Sequence, residues 1–172
     1  MNENPRIEIM DTTLRDGEQT CGVSFVPHEK LMIARLLLEE LRVDRIEVAS
    51  ARVSEGEFNA VRMICDWAAR KNLLSRVEVL GFVDGKTSVD WIYNTGCRVI
   101  NLLTKGSEKH CTFQLKKTLQ EHLADIRQTV AYAIDKGMDV NVYLEDWSNG
   151  IKDSPDYVFG LVDGLKDTGI RR

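Results

Sequence analysis

The residues best equipped for chemistry crowd into one decapeptide, Asp11-Thr12-Thr13-Leu14-Arg15-Asp16-Gly17-Glu18-Gln19-Thr20. Asp16 offers hard oxygen to a divalent cation. Arg15, beside it, presents a rigid fork of donors suited to a carboxylate or a developing oxyanion. Gly17 permits a tight turn, and Gln19 adds an amide. The stretch begins where the apolar run Ile7 to Met10 ends, so it is the loop that follows a first strand. An isolated Arg-Asp pair is usually a solvated ion pair worth little, so its weight depends on what else the chain brings to the same place.

Other polar residues stand at or inside strand-like runs. Glu47 lies within Ile46-Glu47-Val48-Ala49, where a carboxylate is costly unless it is paired or directed at a ligand. A structural pairing with a core arginine is the alternative for it. Asn101 sits inside Val99-Ile100-Asn101-Leu102-Leu103, with Ser107 and His110 in the loop beyond, and a fifth run ends at Glu145-Asp146. Taken singly, Asn101 reads equally well as a satisfied buried amide and His110 as a loop histidine.

These positions are carried by a recurrence of strand-length apolar runs and longer segments of helical period. Strands are predicted over 7–11, 45–49, 77–82, 98–103 and 139–145, and helices over 27–41, 54–72, 87–94, 115–136 and 154–168. In the first helix Leu31, Ala34, Leu37, Leu38 and Leu41 form a core-facing stripe. Ser54 with Glu57 has capping-box spacing, and Ser154 with Pro155 is the expected start of the last helix. Gly96, Gly137 and Gly169 each stand just past a helix and shortly before an apolar run, where a left-handed turn sends the chain back into a strand. Strand–helix alternation without hairpin signals means a parallel sheet with helical crossovers. Periodicity leaves an open doubly wound sheet and a (β/α)8 barrel equally available, although no Gly-x-Gly-x-x-Gly follows the first strand.

Composition narrows the classes. The chain has 172 residues and a net charge of −4, enough for one domain and without the basic stripe that nucleic acid or an anionic membrane requires. Cys21, Cys65, Cys97 and Cys111 are widely spaced, with no Cys-x-x-Cys, which predicts free thiols. The polar start Met1 to Arg6 shows no signal peptide, so a cytoplasmic protein is expected.

The decapeptide, followed by Gly22-Val23, resembles the signature of the metal-dependent acyltransferases and lyases that include 2-isopropylmalate, homocitrate and citramalate synthases and hydroxymethylglutaryl-CoA lyase (the DRE-TIM metallolyases). Its Gly-Glu-Gln-Thr form most resembles the isopropylmalate and homocitrate branch. The resemblance implies an α/β fold, the parallel (β/α)8 TIM barrel. A whole barrel needs about 250 residues, so residues 1–172 are expected to form the N-terminal portion of one catalytic domain, about five β/α units.

The resemblance also implies roles. Arg15 polarises a substrate carbonyl and stabilises enolate charge, Asp16 ligates the metal, and Glu145 stands as the acid near the reacting centre. Gln19 and Glu47 line the pocket for the 2-oxo acid and acetyl group. Asn101 is counted with them as substrate-binding, and Ser107 and His110 resemble the family's Ser-x-x-His after the fourth strand. The implied reaction is a Claisen condensation of acetyl-CoA with a 2-oxo acid held by Mg²⁺ or Mn²⁺, with Zn²⁺ admitted if imidazoles join the ligands. Asn141 stands where homocitrate synthases carry an arginine, which favours an apolar tail. The specific expectation is 2-isopropylmalate synthase acting on 2-oxoisovalerate in leucine biosynthesis. Citramalate synthase, homocitrate synthase and the lyase are the alternatives. His28, His110 and His122 form no His-x-His, so the chain alone is expected to be inactive. The resemblance further implies a homodimer or other self-association. The non-enzymatic alternative is a partial barrel that binds a partner along its open strand edges.

Overall fold

Apolar alternation of period two and period 3.6 resolves, in the computed structural model, into β1 (Met10–Asp11), α1 (Pro27–Arg35), β2 (Arg45–Ser50), α2 (Glu55–Arg70), β3 (Val77–Phe82), α3 (Thr87–Asn94) and β4 (Val99–Lys105). A single turn α4 (Glu108–His110), α5 (Leu119–Asp135), β5 (Asp139–Glu145), α6 (Trp147–Asp153) and α7 (Pro155–Leu165) complete it. Residues 7–172 are described; the segment Met1 to Arg6, read above for targeting signals, lies outside them. The five strands pair in sequence order β1-β2-β3-β4-β5, every pair parallel. They form the curled arc of a barrel.

Outward-facing strand residues make the core with the helices. Ile46, Val48, Val77, Val79, Ile100, Leu102 and Val140 are all buried, against Ile64 and Ala68 of α2, Ile92 of α3 and Ile126 and Val130 of α5. Each such side chain contributes about 1.5–3 kcal/mol on leaving water. Gly81 interrupts β3 because a Cβ there would come within 2.6 Å of Ile100 Cδ1; its absence lets Ile100 and Ile92 meet. The returns at Gly96, Gly137 and Gly169 all have positive φ, as their positions predict.

Several boundaries differ from expectation for local reasons. The first strand is two residues rather than five, since Ile7 and Ile9 are 86% and 62% exposed and have no layer to pack against. The first helix passes into a π turn over Leu36–Glu40. The extra residue rotates the stripe, so Leu37 and Leu38 stay buried while Leu41 is exposed. The helix expected from residue 115 begins at Leu119, where Thr118 and Glu121 cap reciprocally. Ahead of it lie a π turn, Cys111–Leu115, and left-handed Lys116. Ser154 does not cap α7; its hydroxyl accepts from the Glu108 N–H and donates to the Gly150 carbonyl, both at 3.3 Å. The open edge of β5 is met by the chain's own residues: Arg171 N–H donates to Val140 and Val142 N–H to Arg172.

Candidate active site

The loop after β1 is shaped by its own backbone. The N–H groups of Arg15, Asp16 and Gly17 converge on the Thr12 carbonyl at 2.8–3.2 Å, and Leu14 is fully buried beneath them. Lys30 pins the loop from α1. Its side chain is wholly buried, and its ammonium meets Glu18 and Glu57 at 2.5 Å each and the Leu14 carbonyl at 3.3 Å. A buried ammonium persists because two carboxylates and a carbonyl replace its water. Sequence reading missed Lys30, although its place in the Lys30, Ala34, Leu37, Leu38 stripe was a signal. Glu57, expected to complete the cap of α2, spends its carboxylate on Lys30 instead; Ser54 still accepts from the Glu57 N–H.

Pinned in this way, Arg15 reaches over β2. Its Nε donates to Glu47 Oε2, and its Nη1 donates to Asp16 Oδ1 at 2.7 Å. Glu47 is fully buried, and its other oxygen accepts from Asn101 Nδ2 at 2.7 Å. Asn141 Nδ2 donates to Asn101 Oδ1 at 2.8 Å and to Glu78 Oε2 at 3.3 Å, and Arg45 bonds both Glu78 oxygens at 3.2 Å. A polar seam thus crosses the inner face from Arg15 to Arg45. Four of the expected residues, Arg15, Asp16, Glu47 and Asn101, are contiguous within it. Glu47 and Asn101, both expected to bind substrate, meet protein partners here: Glu47 meets Arg15 and Asn101, and Asn101 meets Glu47 and Asn141. Gln19 is exposed, in a 3-10 turn over Gly17–Gln19, and lines a cleft beside Arg15.

Above the seam the inner face turns apolar at Leu80, Leu103 and Tyr143. Burial, then the Glu47 and Glu78 carboxylates, push the Tyr143 phenol up, with Arg15 opposing; the ring therefore stays a neutral donor close to the Arg15–Glu47 pair. Two residues on, Glu145 contacts Lys105 from β4 and is 39% exposed at its side chain.

Ser107 and His110 gather around Asp146 rather than Glu145. Ser107 Oγ donates to Asp146 Oδ2 at 2.7 Å, Asn149 Nδ2 donates to Oδ1 at 2.6 Å, and His110 Nε2 lies 3.5 Å from Oδ2. The Ser107 hydroxyl, then the Asn149 amide, hold Asp146 below the ordinary carboxylate range. Asp146 takes a left-handed conformation, φ 66°, and Gly106 lies against the backbone of Gly150. The loops after β4 and β5 are clasped together there. Asp146 and Asn149 were not anticipated; Asp146 was visible in the sequence only as the neighbour of Glu145.

For a cation, the chain offers one oxygen of Asp16. That side chain is 60% exposed and its other oxygen faces Arg15, which fits a single ligand position. Among the described residues no three His, Cys, Asp or Glu side chains are grouped to hold a metal ion. No helix among them is long and apolar enough to cross a membrane.

A parallel arc with its polar loops at the carboxyl ends of the strands defines part of a barrel enzyme mouth. The family description HMGL-like matches residues 6–171, and the chain belongs to that family. A 2-isopropylmalate synthase of Saccharolobus solfataricus is 38% identical across 97% of the chain, and an (R)-citramalate synthase of Methanocaldococcus jannaschii is 36% identical across 81%. The chain spans 41% and 27% of those two relatives. The fold matches the HMG-CoA lyase of Bacillus subtilis with a TM-score of 0.67 at 19% identity, over 99% of this chain and 57% of that one.

Proposed function

We propose that this chain supplies the arginine, aspartate and glutamate side of a site that condenses acetyl-CoA with a 2-oxo acid. The observation that carries the reading is Arg15, fixed by the buried Glu47 with Asp16 at its side, in a family whose relatives are named as such synthases. Arg15 meets the carbonyl oxygen of the acid and offsets the negative charge that builds there, a preorganised role because Glu47 and Asn101 already hold it. Glu145, partly exposed and in contact with Lys105, takes a proton from the acetyl methyl group. The resulting enolate carbon bonds to the ketone carbon, whose oxygen becomes an alkoxide and is then protonated. Water cleaves the thioester and CoA leaves as the thiol. A divalent cation would be held in part by Asp16 and would supply Lewis-acid polarisation of the ketone.

The inner face supports an apolar-tailed acid. Leu80, Leu103 and Tyr143 form its apolar part, Asn141 is committed to Asn101 and Glu78, and the Arg45 guanidinium beyond it is already engaged by both Glu78 oxygens. The specific reading is 2-isopropylmalate synthase with 2-oxoisovalerate. The bulk of Leu103 and Tyr143 favours, as the second reading, the shorter pyruvate of a citramalate synthase.

Calorimetric titration tests this. With Mn²⁺ present, 2-oxoisovalerate or pyruvate is expected to bind at least tenfold more tightly than 2-oxoglutarate, and Arg15→Leu to weaken that binding at least tenfold. Equal affinity in the variant overturns the reading. Because one aspartate is a poor cation site, turnover is expected only when further ligands are supplied, and thiol release by this chain alone would refute that part.

A further inference from the structure

Two of the four cysteines meet at the end of the sheet opposite the mouth. Cys65 lies on α2, and Cys97 stands in the turn that enters β4, just after Gly96. Both are buried, at 2% and 0% exposure. Cys97 Sγ is 3.4 Å from the Val77 carbonyl at the start of β3 and 3.3 Å from the Val99 carbonyl at the start of β4. The Cys65 thiol hydrogen-bonds with it from the helix side. Gly96, with φ 92°, lies close against the helix: a Cβ there would be 3.5 Å from Cys65 Cβ. The other two cysteines are placed differently. Cys21 is exposed, and Cys111 turns its thiol to the carbonyls of Lys117 and Thr118.

A buried thiol pair can serve a metal or act as a dithiol. A structural zinc takes four ligands, and among the described residues no third His, Cys, Asp or Glu is grouped with these two. The dithiol reading is supported by an asymmetry. The hydrogen bond from Cys65, aided by the Val99 and Arg98 backbone, lowers the Cys97 thiol against the opposing effect of burial. The same bond, then burial, pushes Cys65 up. One sulfur is readied as the thiolate while its neighbour keeps the proton, the division between an attacking and a resolving thiol. Asn94 is exposed, and Gly96 and Arg98 are partly so. A single turn of chain therefore separates the pair from solvent, a short path for an oxidant the size of water.

We propose that Cys65 and Cys97 form a redox couple that a peroxide converts to a disulfide, tying α2 to the turn that enters β4. The Cys97 thiolate attacks one peroxide oxygen; the O–O bond breaks, and hydroxide leaves and is protonated to water. Cys97 is then a sulfenic acid. The Cys65 sulfur, giving up its proton, attacks the Cys97 sulfur; the S–S bond forms, the S–O bond breaks, and a second water leaves. Two thiols and one hydrogen peroxide thus give one disulfide and two waters, with two electrons passing from sulfur to oxygen. The cross-link restrains the unfolded chain, so the oxidised chain is the more stable one. The couple does not depend on the condensation reading.

Treating a Cys21→Ser chain, which lacks the exposed thiol, with hydrogen peroxide tests this. After alkylation under denaturing, non-reducing conditions and digestion with trypsin, peptides 63–70 and 87–98 are expected as one species, two hydrogens lighter than their sum. Dithiothreitol should separate them. The urea midpoint of the oxidised chain should lie above that of the reduced chain and return on reduction. Cys65→Ala should stop the reaction at a Cys97 sulfenic acid that dimedone captures, with no rise in midpoint. Recovery of both cysteines as alkylated thiols, or a link from either one to Cys111, overturns the couple. A link between Cys65 and Cys97 that leaves the midpoint unchanged or lowers it overturns the tie, because the folded chain would then have to distort to accept the bond.

Discussion

Glu47 and Glu145 face the same interior from opposite sides of the arc, and they are built for opposite purposes. Glu47 is fully buried, one oxygen held by Arg15 and the other by Asn101. Glu145 is 39% exposed at its side chain and touches one lysine. A carboxylate with both oxygens occupied cannot change partner without leaving a guanidinium and an amide unmet. A partly exposed one held by a single lysine can change partner at small structural cost. The β2 side therefore stores a fixed charge that holds Arg15, while the β5 side keeps a carboxylate open to solvent, the one that the proposed condensation would use as its base.

The sharpest way to break this contrast is Glu47→Leu. It leaves the Arg15 and Asn101 donors unmatched in a buried seam, and loss of one partner of a buried pair costs about 3–5 kcal/mol. The midpoint of urea unfolding should fall with an unchanged slope. A loss below about 1 kcal/mol would mean that Glu47 is not the anchor.

Next in size is a pH effect on the β4 side. The folded pKa of His122 is about 4 against an ordinary 6.5, so between these values the unfolded chain binds a proton that the folded chain does not. Stability should be constant above about pH 7 and fall as pH drops from 6.5 to 4, by up to about 3 kcal/mol at about 1.4 kcal/mol per unit. His122→Gln, which keeps an acceptor for the Lys105 N–H, should remove that slope. An unchanged slope would place the titrating group elsewhere.

What could be read in advance follows the range of the forces involved. The helices and the parallel order were legible because stripes such as Ala34, Leu37 and Leu38, and returns such as Gly137, are local signals. Asp16, Arg15 and Glu145 were legible as residues at strand ends. The link from Glu47 to Asn101 was not, because it joins positions 54 apart in sequence and depends on strand register and curl. Asn141 was read as a place where a cation is missing; its role as the hinge between Asn101 and Glu78 needed three strands in place. The π turn at Cys111–Leu115 left no signal, although Thr118 with Glu121 marked where α5 begins and was passed over. The helix α6 was missed because it starts from a left-handed aspartate, a conformation the residue type permits but does not announce.

A smaller effect probes the clasp that carries Asp146. Gly150 lies so close to Gly106 that an added Cβ would fall well inside contact with the Gly106 carbonyl oxygen. Gly150→Ala should cost about 1–3 kcal/mol through overpacking, despite alanine's better helix propensity. It should also weaken Ser107–Asp146, read as faster exchange of the His110 amide, whose N–H donates to Ser107. If alanine stabilises the chain, the two loops are not held together in this way.

The smallest change in stability is expected from Glu145→Gln. Its contact with Lys105 is partly exposed, and such pairs contribute about 0–1 kcal/mol, so the unfolding midpoint should barely move. Its chemical consequence runs the other way. Glutamine cannot accept a methyl proton, and losing a positioned general base typically costs about 10²–10⁴ in rate. In the condensing protein, exchange of acetyl-CoA methyl hydrogens with solvent should fall by that factor while 2-oxo-acid binding, which depends on Arg15, is retained. A variant with unchanged exchange would move the base elsewhere. A variant that unfolds as readily as Glu47→Leu would instead make Glu145 a second structural charge, and the division between a fixed side and a reactive side of the arc would be lost.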